Sequence, residues 1–266
     1  MARVAGSSMT NDLAGQLLTL ATNLATHVGD TALAGRRLGL HNVETKSTPT
    51  DMVTEYDRAT EREIVATLRR LRPADAIVGE EGGNHDGTSG ITWFVDPIDG
   101  TTNFLYDLPM WTVSIGVHDA DGALCGVVYA PALRETFSAV RGRGAFLNGH
   151  RITCSEVADP AHALVGTGFN YSPANRVAQA NRIPGFIDKI RDVRRLGSAS
   201  LDLCFVACGR YDAYFEEHLY PWDLAAGSLI ATEAGARVEA THGPTALAVL
   251  AANRALFARM KNILVP

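Results

Sequence analysis

Asp96 and Asp99 stand three residues apart in the stretch Trp93 to Phe104, W-F-V-D-P-I-D-G-T-T-N-F. An apolar run, Ile91 to Val95, leads into them and reads as a strand. Pro97 disfavours helical backbone at Asp96, so the chain is expected to run extended up to the first carboxylate. Gly100 then turns the chain, and Thr101 and Thr102 bring free amides and hydroxyls, with Thr102 expected to cap a following helical turn. Two hard anionic oxygens beside carbonyls, a hydroxyl and a cluster of amides suit a divalent cation on one side and a phosphate on the other. Taken alone, the same residues also fit an Asx-rich turn with solvated carboxylates.

Other carboxylates fall at the ends of predicted elements, where open sites form. In K-S-T-P-T-D-M-V-T-E-Y-D (46–57), Thr54 and Asp57 form a variant capping box. The helix it starts is expected to run to about Leu71, with Ile64, Val65, Leu68 and Leu71 inward. Asp57 either serves that helix N-terminus alone or reaches a site the helix points into. G-E-E-G-G (79–83) follows a short strand, Ala76 to Val78, and by itself reads as an exposed turn. Asp223 opens a helix expected to reach Ala234, with Gly235 closing it. Carboxylates converging at about 5 Å would repel by roughly 3 kcal/mol per pair at an effective dielectric near 20. Bound Mg²⁺ would remove that repulsion and keep them ionised.

The chain has 266 residues, a net charge of −5, 46% hydrophobic and 20% charged content. Those values fit a globular protein with one large or two small cores and give no general attraction to nucleic acid or an anionic membrane. An anionic substrate would therefore need local positive charge from metals or helix ends. The longest small-apolar run, Ala246 to Ala252, is far short of a membrane span, and the N-terminus lacks the apolar core of a signal peptide. Cys125, Cys154, Cys204 and Cys208 lack zinc-site spacing and read as reduced thiols of a cytoplasmic protein.

Around the carboxylates, residues 1–10 read as a loose tail. Leu13, Leu17, Leu20, Leu24 and Val28 mark an amphipathic helix from Asn11 to about Ala34, with Gly35 as its stop. Trp111 to His118 and Ala123 to Tyr129 form a hairpin about Asp121-Gly122, with Glu135 to Val140 as a third strand. G-R-G-A-F-L-N-G (142–149) reads as a turn and strand end, because it lacks the spacing and lysine of a P-loop. After a seam near Cys154 to Pro160, strands and helices alternate. Strands are expected at Leu164 to Phe169, Val193 to Leu196, Asp212 to Glu216, Arg237 to Glu239 and Leu247 to Leu250. Helices are expected at Pro184 to Arg191, from Gly197-Ser198 to Gly209, and at Arg254 to Lys261, while Asn170 to Arg182 has no clear element. The expected fold is α+β, a layered αβαβα sandwich with antiparallel sheet first and mixed sheet after. The expected division is residues 1–155 and 156–266, with one site at the seam.

D-P-I-D-G-T-T-N-F (96–104) with W-D-L-A-A-G (222–227) resembles the paired signature of the inositol monophosphatase family. The 46–57 block, G-E-E (79–81), G-A-F-L-N-G (144–149) and R-L-G-S-A-S-L-D-L (195–203) match further family blocks in order. The resemblance covers nearly all of the chain after residue 10 and overrides the turn readings of Glu80, Asp96 and Asp99. It implies a Mg²⁺-dependent phosphomonoesterase, a homodimer, acting on a small-molecule phosphate ester, with inhibition by lithium. One metal would be held by Glu80, Asp96 and the Ile98 carbonyl, a second by Asp96, Asp99 and Asp223, and a third, weaker one near Glu80. Thr101, paired with Asp57, would orient the attacking water, and the Gly100 and Thr101 amides would hold phosphate oxygens. Gly197, Ser198, Ala199 and Glu216 would meet sugar-like hydroxyls, and Lys46 would support the acidic cluster. The T-T-N-F ending favours myo-inositol monophosphate over fructose 1,6-bisphosphate, histidinol phosphate or adenosine 3′,5′-bisphosphate. A regulatory protein that retains the fold is the remaining alternative. The family often carries alanine where this chain has Ser200, and a more polar stretch in place of Ala246 to Ala252, and neither departure is expected to touch the metal ligands.

Overall fold

A computed structural model describes residues 12–39, 43–46, 52–242 and 247–264. The expectations for residues 1–10, for 47–51 of the 46–57 block, and for Ala246 lie outside the described residues.

The first helix, α1 (Leu13–Leu38), is capped by the Asp12 carboxylate, which accepts from the Gly15 amide. It does not stop at Gly35 as expected. Gly35 lies against Tyr56, where a Cβ would come within 2.2 Å of the ring, so this glycine is there for a close approach and not for a turn. A small hairpin, β1 (Val43–Thr45) and β2 (Met52–Thr54), leads into α2 (Glu55–Leu71). The Thr54–Asp57 capping box is formed, but Leu71 is 47% exposed and not part of the core.

The main sheet is built from β3 (Ala76–Gly79), β4 (Thr92–Asp99), β5 (Thr112–Asp119), β6 (Gly122–Ala130), β7 (Glu135–Val140), β8 (Gly144–Leu147) and β9 (His150–Ile152) in that spatial order. All neighbours are antiparallel except β3 and β4, which run parallel. The fourth strand continues past the expected end at Val95, through Pro97 to Asp99. A short helix, α3 (Thr101–Leu105), follows it, and Gly100 in left-handed backbone (φ 96°) is its cap in place of Thr102.

A second sheet is mixed, in the order β11 (Asp192–Arg194), β10 (Leu164–Thr167), β12 (Ala213–Glu217), β14 (Leu247–Asn253), β13 (Ala236–His242). The polar stretch without a clear element carries α4 (Pro173–Ala180), and the expected helix at 184–191 is instead two 3-10 turns. Then come α5 (Ala199–Ala207), α6 (Pro221–Glu233) and α7 (Arg254–Leu264).

The layers follow from which faces are apolar. Leu17, Leu24, Val28, Ile64 and Leu68 of α1 and α2 pack on one face of the seven-stranded sheet, around Trp93, Ile115 and Val127. Leu201, Leu203, Leu229 and Ile230 fill the space between the sheets from α5 and α6, and α7 closes the outer face of the second sheet through Leu256, Phe257 and Met260. The result is the αβαβα sandwich, with antiparallel sheet giving way to mixed sheet. Gly116 and Gly126 let α6 lie directly on β5 and β6: a Cβ on Gly116 would stand 2.5 Å from that of Ala225. That contact fixes the helix whose first turn carries Asp223.

Candidate active site

Residues three apart in a regular strand face opposite sides. Asp96 pairs with Ser114 and Asp99 with Thr112, so three steps on β4 oppose two on β5. The extra residue is a bulge next to Pro97, which has no amide to pair. It corrects the parity and turns both carboxylates the same way. With Asp223 they present oxygen atoms that all lie within 4.8 Å of one another. Glu80 leaves the end of β3, parallel to β4, and its carboxyl shares a hydrogen bond with that of Asp96.

These groups line a cavity of about 400 Å³. Asp96 and Asp99 are 2% and 8% exposed. Burial pushes Glu80 up to about 7, against the pull of Lys46. Burial and then the neighbouring carboxylates Glu80, Asp99 and Asp223 drive Asp96 well above the usual carboxylate range. Asp99 and Asp223 are also raised, first by burial. Four hard oxygen donors that resist ionising together are a set a divalent cation would satisfy, since its charge offsets both burial and repulsion. The residues therefore fit the expected metal: Glu80, Asp96, Asp99 and Asp223 by side chain, and Ile98 by its carbonyl.

Asp57 has both of the roles that its position allowed. Its Oδ2 accepts from the Thr54 amide (2.8 Å) and hydroxyl (2.5 Å), holding the start of α2. Its Oδ1 lies 3.0 Å from the Thr101 hydroxyl, which is also 3.1 Å from the Ile98 carbonyl. Burial raises the Asp57 carboxyl to about 6. Thr101 opens α3, and the first amides of any helix have no acceptor within it. The starts of α2, α3, α5 and α6 all meet this cavity or its ligands, giving the local positive potential that a net charge of −5 does not supply.

Lys46 bonds Glu80 (2.8 Å) and pairs with Glu81. Burial would lower its pKa, but these two carboxylates reverse the effect and hold it above the usual lysine range. Gly197 and Ala199 line the cavity. Ser198 is 1% exposed, and its hydroxyl is directed at Asp99 (2.8 Å) and not into the open space. Glu216 lines the cavity, accepts from the Tyr214 hydroxyl (2.7 Å), and is raised to about 7, chiefly by burial.

Three supporting residues escaped the sequence reading. Glu61 accepts from the amides of Glu81 and Gly83 (both 2.8 Å) and so clamps the loop that carries Glu80. Its signal was available: a second acid one turn after Asp57, on the face shared by Ile64, Val65 and Leu68. Asn103 donates to the carbonyls of Met110 (2.6 Å) and Leu196 (2.8 Å), joining the turn after β4 to the segment before α5. Ser200, expected from the sequence to lie clear of the metal ligands, instead donates to Asp99 from both amide and hydroxyl, 2.7 and 2.6 Å.

A layered α+β protein with a carboxylate-lined cavity, a Thr–Asp pair and converging helix starts defines a phosphatase-type centre. Residues 14–263 match the inositol monophosphatase family, and the chain belongs to it. The Inositol-1-monophosphatase SuhB of Mycobacterium tuberculosis is 47% identical over 205 residues, 74% of this chain and 71% of that one. The solved Mycobacterium tuberculosis SuhB structure superposes with a TM-score of 0.82 at 40% identity, covering 96% and 97% of the two chains. A relative from Pseudomonas aeruginosa called Nus factor SuhB is 41% identical over 233 residues, 84% of each chain.

Proposed function

We propose that the protein hydrolyses myo-inositol monophosphate to inositol and phosphate, using two to three Mg²⁺ per site. The observation that carries this reading is the bulge on β4, which brings Asp96 and Asp99 to one side with Asp223. Bound Mg²⁺ would neutralise phosphoryl oxygens, lower the pKa of the attacking water and stabilise the leaving alkoxide. The chain supplies the rest. The Thr101 hydroxyl donates to Asp57 and keeps lone pairs with which to accept from a water, so it orients that water. The amides at the start of α3 hold phosphate oxygens.

Lys46 and Arg195 are the lysine and arginine on the cavity wall, and Lys46 is already tied to two glutamates. Among the described residues, Arg195 is then the lysine or arginine left to meet a second phosphate, beside the carboxyl of Glu216. That wall favours a monophosphate of a neutral polyol over the bisphosphates. We assign Glu216, with Gly197 and Ala199, to the sugar-like hydroxyls. We further propose a cytoplasmic homodimer inhibited by millimolar lithium. Among the described residues no helix is long and apolar enough to cross a membrane.

A second reading, a regulatory role, is favoured by the name Nus factor carried by the Pseudomonas aeruginosa relative. The complete set of carboxylates argues that catalysis is retained in either case. The test is phosphate release from inositol 1-phosphate, fructose 1,6-bisphosphate, histidinol phosphate and adenosine 3′,5′-bisphosphate, with and without Mg²⁺. Mg²⁺-dependent release, fastest from inositol 1-phosphate, is the expected result. No release from any of them would leave the regulatory reading.

A further inference from the structure

Asp99 is the most heavily engaged of the cavity carboxylates. Its Oδ2 accepts from the Ser198 hydroxyl (2.8 Å), the Ser200 amide (2.7 Å) and the Ser200 hydroxyl (2.6 Å), while Oδ1 accepts from the Ala199 amide (3.2 Å). An ionised carboxylate offers about four lone-pair positions, two on each oxygen. Three donors crowd the two positions of Oδ2 while one donor reaches Oδ1, so Oδ1 is the oxygen left with room for a cation.

One of these donors is itself driven from behind. The Ser200 hydroxyl lies 2.7 Å from the hydroxyl of Thr112, the residue opposite Asp99 on β5, and both side chains are fully buried. An ionised carboxylate only accepts, so the Ser200 proton points at Asp99. Thr112 must then donate to Ser200. The order of protons in this short chain is fixed, and each bond polarises the next.

We propose that Ser200, driven by Thr112, is a positioning residue that weakens the cation seat formed by Asp96, Asp99 and Asp223. The inference rests on the metal reading of that seat. Ser198 and the two amides already hold Asp99 in place, so the extra hydroxyl adds little to its orientation. What it does is draw negative charge toward Oδ2, and so away from Oδ1, the oxygen open to the cation. Partners behind a ligand tune a metal site as well as orient it. A seat loosened in this way exchanges its ion, and the phosphate held by it, more readily.

The test is direct titration of Mn²⁺ into chelator-stripped protein at pH 8, read by electron paramagnetic resonance. Wild type is compared with Ser200→Ala, Thr112→Val and Thr112→Ser. Ser200→Ala is expected to tighten Mn²⁺ binding by about 2- to 10-fold, a fraction of the worth of one hydrogen bond to a charged group, since Asp99 keeps its other three donors. Thr112→Val should tighten it less, and Thr112→Ser, which keeps the donor, should match wild type. A purely structural role would show as lost thermal stability with binding unchanged or weaker, and would overturn the proposal. Should Ser200→Ala fail to fold, the Thr112 pair decides: equal affinities for the valine and serine variants overturn it. Wild-type protein that binds no Mn²⁺ would instead overturn the metal reading itself.

Discussion

Asp75 and Asp96 sit at opposite ends of the same two parallel strands, and both are almost fully buried, at 4% and 2% exposure. Asp75 accepts four hydrogen bonds: two from Arg72 (2.7 and 3.1 Å), one from Ser89 (2.7 Å) and one from the Trp93 indole (2.9 Å). Burial alone would raise its carboxyl, but these partners hold it below the usual range. Asp96 accepts from the Ile98 amide (3.1 Å), and the carboxyls of Glu80, Asp99 and Asp223 crowd it. One end of the strand pair is complete without a ligand. The other is left short of positive charge. Burial of a carboxylate therefore says little about function, whereas burial among other acids marks a place that a cation would satisfy.

The sharpest way to break this comparison is to neutralise both residues. Asp96→Asn should lower kcat/KM by on the order of 10³-fold or more, as loss of several kcal/mol of cation-derived stabilisation requires. The metal-free Asp96→Asn protein should be no less stable than wild type, because a repelling charge is gone. Asp75→Asn should do the opposite. It should cost about 2–4 kcal/mol of stability, through donors left facing an amide, and leave kcat/KM within a few-fold. Denaturant titrations alongside steady-state kinetics check both arms; two variants with the same profile would erase the distinction.

A smaller effect is expected on the far wall. Glu216→Gln should reduce kcat/KM for inositol 1-phosphate by roughly the 1.5–3 kcal/mol of a hydrogen bond to a charged group, and affect fructose 1,6-bisphosphate less. The quantity that decides is the ratio of the two substrates. An unchanged ratio removes Glu216 from substrate selection.

The same contrast explains what could be read in the sequence. Asp57, Glu80, Asp96, Asp99 and Asp223 were legible as acids at element ends, signalled by a capping box, a glycine turn, a proline and a Trp-Asp helix start. For Glu80, Asp96 and Asp99, though, it was the family resemblance and not these local signals that set the turn readings aside. The reason Asp96 and Asp99 face the same way was not legible, since a bulge depends on the register against β5 and no local residue pattern specifies it. The polyol wall was legible only in part. Ser198 could be placed near the site and Ser200 could not, and the commitment of both to Asp99 depends on how α5 docks against the end of β4. The long first helix shows the same limit. Gly35 carries a stop signal locally, but the helix runs on to Leu38, and the close approach of Tyr56 is what takes up the glycine.

The measurement that reaches the central claim most directly is the thermal stability of chelator-stripped protein between pH 4.5 and 8, with and without Mg²⁺. Glu80, at about 7, and Asp57, at about 6, sit above the ordinary carboxylate values, and burial also raises Asp96 and Asp223 well above them. A group whose folded pKa is raised stabilises the protein while protonated and loses that contribution as pH rises through the folded value. The metal-free protein should therefore lose stability from about pH 5 to pH 8. One unit of pKa shift is about 1.4 kcal/mol, and 1 kcal/mol is roughly 2–4 °C in a chain of this size, so the fall in Tm should exceed about 4 °C. Saturating Mg²⁺ should restore most of it at pH 8 and little at pH 4.5, where the ligands hold protons. A Tm that is flat across this range and indifferent to Mg²⁺ would contradict the account, because the cavity carboxylates would then be as well compensated as Asp75.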